Sequence, residues 1–140
     1  MADCCFTYGS LMCPDIMSAV AGLALAGEPG VLAGHARHPV ADEDYPGVVA
    51  DPNGRVDGVL YRGLDAGALA RLDRFEGEMY RREAVRVNLV GETVTAWCYI
   101  VRDAYRDRLL PGEWRFDDFL AEGKARFMAR YVGFDALGPG

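Results

Sequence analysis

Hydrophobic positions fall into short segments whose spacing switches between the periods of strands and helices. Cys4 to Tyr8 suit a short buried strand, and Gly9-Ser10-Leu11 then turns the chain toward a helix. Pro14 takes the first helical position, and Asp15 sits in the first turn, where the dipole favours an acid. The richest apolar run, Ile16 to Ala26, fits a packed helix that stops at Gly27-Glu28-Pro29-Gly30. Three short segments rich in Val, Leu and Tyr follow: Val31 to Arg37, Gly47 to Ala50 and Arg55 to Arg62. The turn Asp51-Pro52-Asn53-Gly54 is the strongest hairpin signal among them.

Leu64, Leu69, Leu72 and Phe75 predict a second helix, with Asp65 as N-cap and Gly77 as its stop. Tyr80 to Leu89 alternates around Val85 and Val87, and Thr93 to Val101 carries the strand formers Thr, Val, Trp, Tyr and Ile; joined at Gly91-Glu92, the two should pair. An amphipathic helix is expected from about Phe116 to Tyr131, with Phe116, Phe119, Leu120, Phe127 and Tyr131 at helical spacing and its aromatics read as core in preference to a cofactor box. Gly138-Pro139-Gly140 reads as a frayed end. This order gives an α+β class with mostly short antiparallel strands and no βαβ alternation.

The size, 140 residues with 51% apolar and 26% charged, fits one domain over 1–140 with its own core. A formal charge of −6, with basic residues interleaved among acids as in RDAYRDR, argues against nucleic acid as a partner. MADCCF carries an acid where a signal peptide carries positive charge, and no apolar run reaches the roughly 18 residues a bilayer requires, which points to a cytoplasmic protein with no membrane partner. Cys4, Cys5, Cys13 and Cys98 lack CxxC pairing and read as reduced thiols. His35 and His38 lie on a predicted strand at a spacing that sends them to opposite faces, so no metal site is expected. YGSLM lacks both GxGxxG and the GxxxxGK[ST] phosphate loop, so nucleotide binding has no support.

Two stretches carry candidate chemistry. In Thr7-Tyr8-Gly9-Ser10-Leu11-Met12, a tight turn before a helix either forms a concave set of N–H donors suited to a carboxylate, with Tyr8 at its edge, or is an ordinary strand-to-helix connection. In Leu72 to Arg82, Glu76 sits at the negative end of a helix beside Phe75. It is either a carboxyl with a raised pKa, able to shuttle a proton near neutral pH, or an exposed helix-end acid paired with Arg74, Arg81 or Arg82. Ser10 lacks a GxSxG elbow and does not read as a nucleophile.

Taken together, FTYGSLM, YPGVV (Tyr45 to Val49), VDGVLYRGL (Val56 to Leu64) and LDRFEGEMYRREAVRV (Leu72 to Val87) resemble the gamma-glutamylcyclotransferase-like family in order and spacing. The short Gly77-Glu78-Met79 link makes the compact bacterial and γ-glutamylamine-type branch the nearer resemblance. The resemblance implies a small mixed, mainly antiparallel β-barrel flanked by helices, with a pocket at one end and no cofactor. It implies a cyclotransferase that releases 5-oxoproline and a free amine from a γ-glutamyl amide or amine conjugate. By it, Tyr8, Gly9, Ser10 and Leu11 bind the substrate's α-carboxylate and amine, Glu76 is the catalytic acid/base, and Tyr80 lines the pocket, with Tyr99 a further wall residue. The alternative of another class is a non-catalytic module of the same fold that binds a small ligand or a partner protein. A third reading keeps the Glu but uses it in another acyl transfer, such as removal of a γ-glutamyl protecting group.

Overall fold

The computed structural model describes residues 3–130. Five strands and two longer helices form in the order β1 (Asp3–Thr7), α1 (Pro14–Ala21), β2 (Gly27–Pro39), β3 (Pro46–Leu64), α2 (Ala66–Glu76), β4 (Tyr80–Leu89) and β5 (Glu92–Val101). A short α-helical turn α3 (Phe116–Asp118), a π-helical turn (Phe119–Gly123) and α4 (Lys124–Arg130) then follow without interruption. The strands close in the order β1-β3-β2-β4-β5. All neighbours are antiparallel except β1 and β5, which run parallel at Cys5 and Trp97. This is the mixed, mainly antiparallel barrel flanked by helices that the family resemblance implies, although β2 and β3, at 13 and 19 residues, are longer than the short strands expected.

Period-two alternation divides the core. Phe6, Leu32, Val48, Val56, Leu60, Val87 and Cys98 fill one cluster with Tyr8. Cys5, one position from Phe6, belongs instead to a second cluster with Ile16, Met17 and Val20 of α1 and Leu69 and Leu72 of α2. Burial of this second cluster fixes the two helices against the outside of the barrel and so sets where α2 ends. No helix among the described residues is long and apolar enough to cross a membrane.

Elements whose signals are local form as predicted. The Asp65 side chain accepts from the Ala68 N–H at 2.8 Å and caps α2. Strands β4 and β5 pair from Tyr80↔Val101 to Leu89↔Glu92. Three expectations are corrected. First, α1 ends at Ala21, where Gly22 adopts a left-handed cap, and Gly27 to Gly30 opens β2 instead of closing a helix. Second, Asp51-Pro52-Asn53-Gly54 makes no hairpin. β2 and β3 pair on both sides of it, Ala33 with Arg55 and His35 with Ala50, so residues 51–54 of β3 face Gly34 as a bulge. The local turn chemistry is real, since the Asn53 N–H donates to the Asp51 carboxylate at 3.0 Å, but it kinks one strand and leaves its direction unchanged. The chain reverses between β2 and β3 around residues 40–45, where Asp42 has φ 64°. Third, Leu120, at helical spacing with the aromatics, is 47% exposed and is not a core position. Tyr131 and Gly138-Pro139-Gly140 lie outside the described residues.

Gly77 ends α2 with φ 77° and ψ −162°, a region open in practice only to glycine, and it has no close neighbour. Gly77→Ala should therefore act through backbone strain alone, lowering urea-unfolding stability by about 1–3 kcal/mol. A change under 0.3 kcal/mol would show that the stop after Glu76 relaxes to another conformation.

Candidate active site

The C-terminal ends of β1 and β5 and the N-terminal ends of β3 and β4 surround one pocket beside the end of α2. Tyr8, Gly9, Ser10 and Leu11 line it from the turn after β1, Tyr45 and Pro46 from the entry to β3, Phe75 and Glu76 from α2, Tyr80 from β4, Tyr99 from β5 and Phe127 from α4. Its volume is about 60 Å³, room for roughly four water-sized groups. All six residues named from the sequence as catalytic or substrate-binding meet here.

The turn after β1 tightens into a 3₁₀ helix, Ser10–Met12, in which the Met12 N–H donates to the Gly9 carbonyl at 2.9 Å and the Cys13 N–H to the Ser10 carbonyl at 3.1 Å. The N–H groups of Ser10 and Leu11 precede the first of these bonds and have no intrahelical acceptor. Gly9 is required by its neighbour: a Cβ there would lie 2.8 Å from Pro46 Cδ. Leu11 is buried in the core beneath the helices, so only its backbone is placed to act as a donor. The turn is braced from outside by Arg37, whose Nη1 donates to the carbonyls of Tyr8 at 2.9 Å and Asp57 at 3.1 Å while its guanidinium lies 5.2 Å from the Trp114 ring centroid.

Tyr8 and Tyr80 spend their hydroxyl protons on backbone. Tyr8 donates to the Tyr99 carbonyl, and Tyr80 donates to the Pro46 carbonyl at 2.7 Å. Each phenol oxygen keeps acceptor capacity. Burial, followed by the neighbouring Tyr80 and Glu76, pushes the Tyr8 pKa well up, so Tyr8 stays neutral.

Glu76 is half-buried and takes part in none of the ion pairs among the described residues. Arg82 goes instead to Asp73, with Nε 2.9 Å from Oδ1, and Arg81 to Glu83 at 2.6 Å. Of the two sequence readings, the structure supports the desolvated carboxyl. Burial first, then the negative charge of Asp73 three residues earlier on the helix, raises the Glu76 pKa to about 8. Asp73 is held by Arg82 and by the Tyr99 hydroxyl, which donates to Oδ1 at 2.7 Å. The arrangement offers backbone donors at one wall, tyrosine oxygens as acceptors, and a carboxyl able to exchange a proton near neutral pH.

Sequence reasoning missed Arg37, Asp73 and the aromatic wall. Arg37 lies in a segment read only for its strand pattern, and its partners are 20 and 29 positions away. Asp73 has a signal that was available, because a helical i, i+3 spacing places it beside Glu76. Phe127 was read as core, and it is 3% exposed while also lining the pocket.

Similarity to known proteins agrees with this geometry. Residues 5–116 match the family described as gamma-glutamyl cyclotransferase, AIG2-like. AIG2-like protein C of Arabidopsis thaliana is 30% identical over 125 residues, covering 88% of this chain and 72% of the relative. A solution structure from Arabidopsis thaliana superposes with a TM-score of 0.73 at 25% identity, covering 95% of this chain and 81% of that one. A solved gamma-glutamyl cyclotransferase shares the fold at a TM-score of 0.69 and 16% identity, covering 99% and 88%. The matched span contains the YGSL turn and Glu76 together, and the chain belongs to the gamma-glutamyl cyclotransferase, AIG2-like family.

Proposed function

We propose that this protein is a cyclotransferase that releases 5-oxoproline and a free amine from a γ-glutamyl amide or amine conjugate, with Glu76 as its single general acid/base. The observation that carries the reading is a desolvated carboxyl without a cationic partner in the same pocket as the YGSL turn. A structural use of Glu76 does not account for that combination, which disfavours the non-catalytic reading.

In this mechanism the N–H groups of Ser10 and Leu11 hold the substrate's α-carboxylate, and the oxygens of Tyr8 and Tyr80 accept from its α-amine. Glu76 removes a proton from the α-ammonium, and the freed nitrogen attacks the γ-carbonyl carbon. The new C–N bond closes a five-membered ring, Glu76 passes its proton to the departing nitrogen as the original amide C–N bond breaks, and the second proton of the ring nitrogen follows by the same carboxylate, so that the lactam N–H remains and the amine leaves as its ammonium. No water is consumed and no electrons change hands. Folding the substrate so that amine and carbonyl meet supplies much of the acceleration, since effective molarities for such ring closures reach roughly 10⁵ M or more. A carboxyl with a pKa near ambient pH suits both halves of the proton transfer.

Glu76→Gln should lower kcat by at least about 100-fold, measured as 5-oxoproline release from a γ-glutamyl panel, with an unchanged circular dichroism spectrum. Turnover at the wild-type rate would remove Glu76 from the reaction, and glutamate in place of 5-oxoproline would identify a hydrolase.

The pH dependence gives a second test. The base form of Glu76 is needed for kcat/KM, so the profile should rise through a limb centred near pH 8. Asp73→Asn removes the negative charge that helps raise this pKa and should move the limb to lower pH, a shift that titration of the substrate's own amine cannot produce. Stability moves oppositely. The folded state holds a proton on Glu76 that the unfolded chain gives up near the ordinary value of 4.5, so wild-type stability falls as pH rises from 4.5 to about 8. The slope due to this group is at most about 1.4 kcal/mol per pH unit, and Glu76→Gln should abolish it in urea titrations across that range.

A further inference from the structure

We propose that Tyr45, Phe75 and Phe127 form an aromatic subsite for the leaving amine, selecting amines with an aryl or alkyl body and no carboxylate. This rests on the cyclotransferase reading and names the substrate class within it.

The proton donor fixes where the leaving group lies. Glu76 must touch the departing nitrogen, so the group attached to that nitrogen occupies the wall around Glu76 that the turn after β1 does not form. Phe75 is next to Glu76 in the chain. Its ring centroid lies 6.1 Å from that of Phe127, edge-on, and Phe127 stands 6.4 Å from Tyr45, again edge-on. Tyr45 and Phe75 are half-buried while Phe127 is 3% exposed, and all three line the pocket. Flat apolar groups stack or pack edge-on against such a surface.

Charge decides against the other class of leaving group. Among the described residues, no Lys, Arg or His lines this pocket. The substrate's α-carboxylate already takes the N–H groups of the YGSL turn. A leaving amino acid or peptide would bring a second carboxylate against Phe, Tyr and an acidic Glu76, with no cation to pair it, and an unpaired desolvated carboxylate is strongly disfavoured. Arg82 is committed to Asp73, Arg81 to Glu83, Arg126 to Asp44 and Arg37 to backbone carbonyls, and Arg74 is not among the residues that line the pocket.

Two matched pairs of substrates isolate the terms. γ-Glutamylphenethylamide and γ-glutamylphenylalanine carry the same ring and differ by one carboxylate; γ-glutamylphenethylamide and γ-glutamylmethylamide differ in the ring. Measured by 5-oxoproline release, kcat/KM for the phenethylamide should exceed each of the others by at least about 10-fold. Phe127→Leu keeps an apolar side chain while removing the ring, and it should lower the phenethylamide-to-methylamide ratio by about 5-fold, chiefly through KM. Equal or faster turnover of γ-glutamylphenylalanine, a methylamide rate matching the phenethylamide, or an unchanged ratio in folded Phe127→Leu would each overturn the subsite while leaving the cyclotransferase in place. Absence of 5-oxoproline from every member would instead overturn the cyclotransferase reading, and the subsite with it.

Discussion

A half-buried carboxyl with no cation paired to it among the described residues is the constraint around which this end of the barrel is arranged. Burying an unpaired charge is costly enough that a group in this position takes up a proton instead, and Glu76 does so with a pKa raised to about 8. The condition is fragile, because a single guanidinium within reach would hold the carboxyl ionised. Four arginines lie within six residues of Glu76; Arg71 donates to the Ala21 carbonyl, and Arg81 and Arg82 are tied to other acids. Arg82 is locked on Asp73 by two hydrogen bonds and stacked 4.4 Å from the Trp97 ring centroid. Arg81 points to Glu83 on its own strand. Asp73 therefore has two effects: its charge raises the Glu76 pKa, and its bonds keep Arg82 in place.

The remaining walls are made rigid through backbone carbonyls. Tyr8 on Tyr99, Tyr80 on Pro46, Tyr61 on Met12 and Arg37 on Tyr8 each tie a side chain to a main-chain oxygen on a different element. Such bonds position the turn after β1 without placing a charge inside the pocket. Close packing has the same effect at Gly9, where Pro46 leaves no space for a side chain. The Trp114 indole also joins this frame, donating to the Asp44 carbonyl at 2.9 Å near the reversal between β2 and β3.

What the sequence made legible follows the range of the interactions. The Asp65 cap, the Gly77 stop and the pairing of β4 with β5 depend on residues within a few positions or one tight turn, and each was readable. The site residues were legible only because two motifs, weak singly, resemble a family in combination; their proximity across nearly 70 residues has no local signal. Strands β2 and β3 were misjudged because pairing is decided across the sheet. Asp51-Pro52-Asn53-Gly54 has the local chemistry of a turn, yet the partners on either side of it keep one register direction and absorb it as a bulge. Arg37 was passed over for the same reason: its role is defined by carbonyls brought in from other strands.

The aromatic wall owes its form to a local irregularity in the C-terminal helical segment. In a continuous α-helix, Phe119 and Phe127, eight positions apart, would point about 80° away from each other. The π-helical turn Phe119–Gly123 lies between them and takes up an extra residue, which swings the following turn back toward a common face. The rings then meet edge-on with centroids 5.9 Å apart, and Phe119 in turn packs 5.5 Å from Trp114. Phe127 is thereby anchored from behind by Phe119 while its other neighbours, Tyr45 and Phe75, belong to the pocket. A regular helix would break this chain of contacts, so the π turn converts what the sequence pattern marks as an ordinary core position into a wall beside Glu76. The turn after β1 and the acid sit on the barrel and α2, while Phe127 of this wall sits on the C-terminal helical segment. That division lets the aromatic wall of the pocket change without disturbing the acid or the turn after β1.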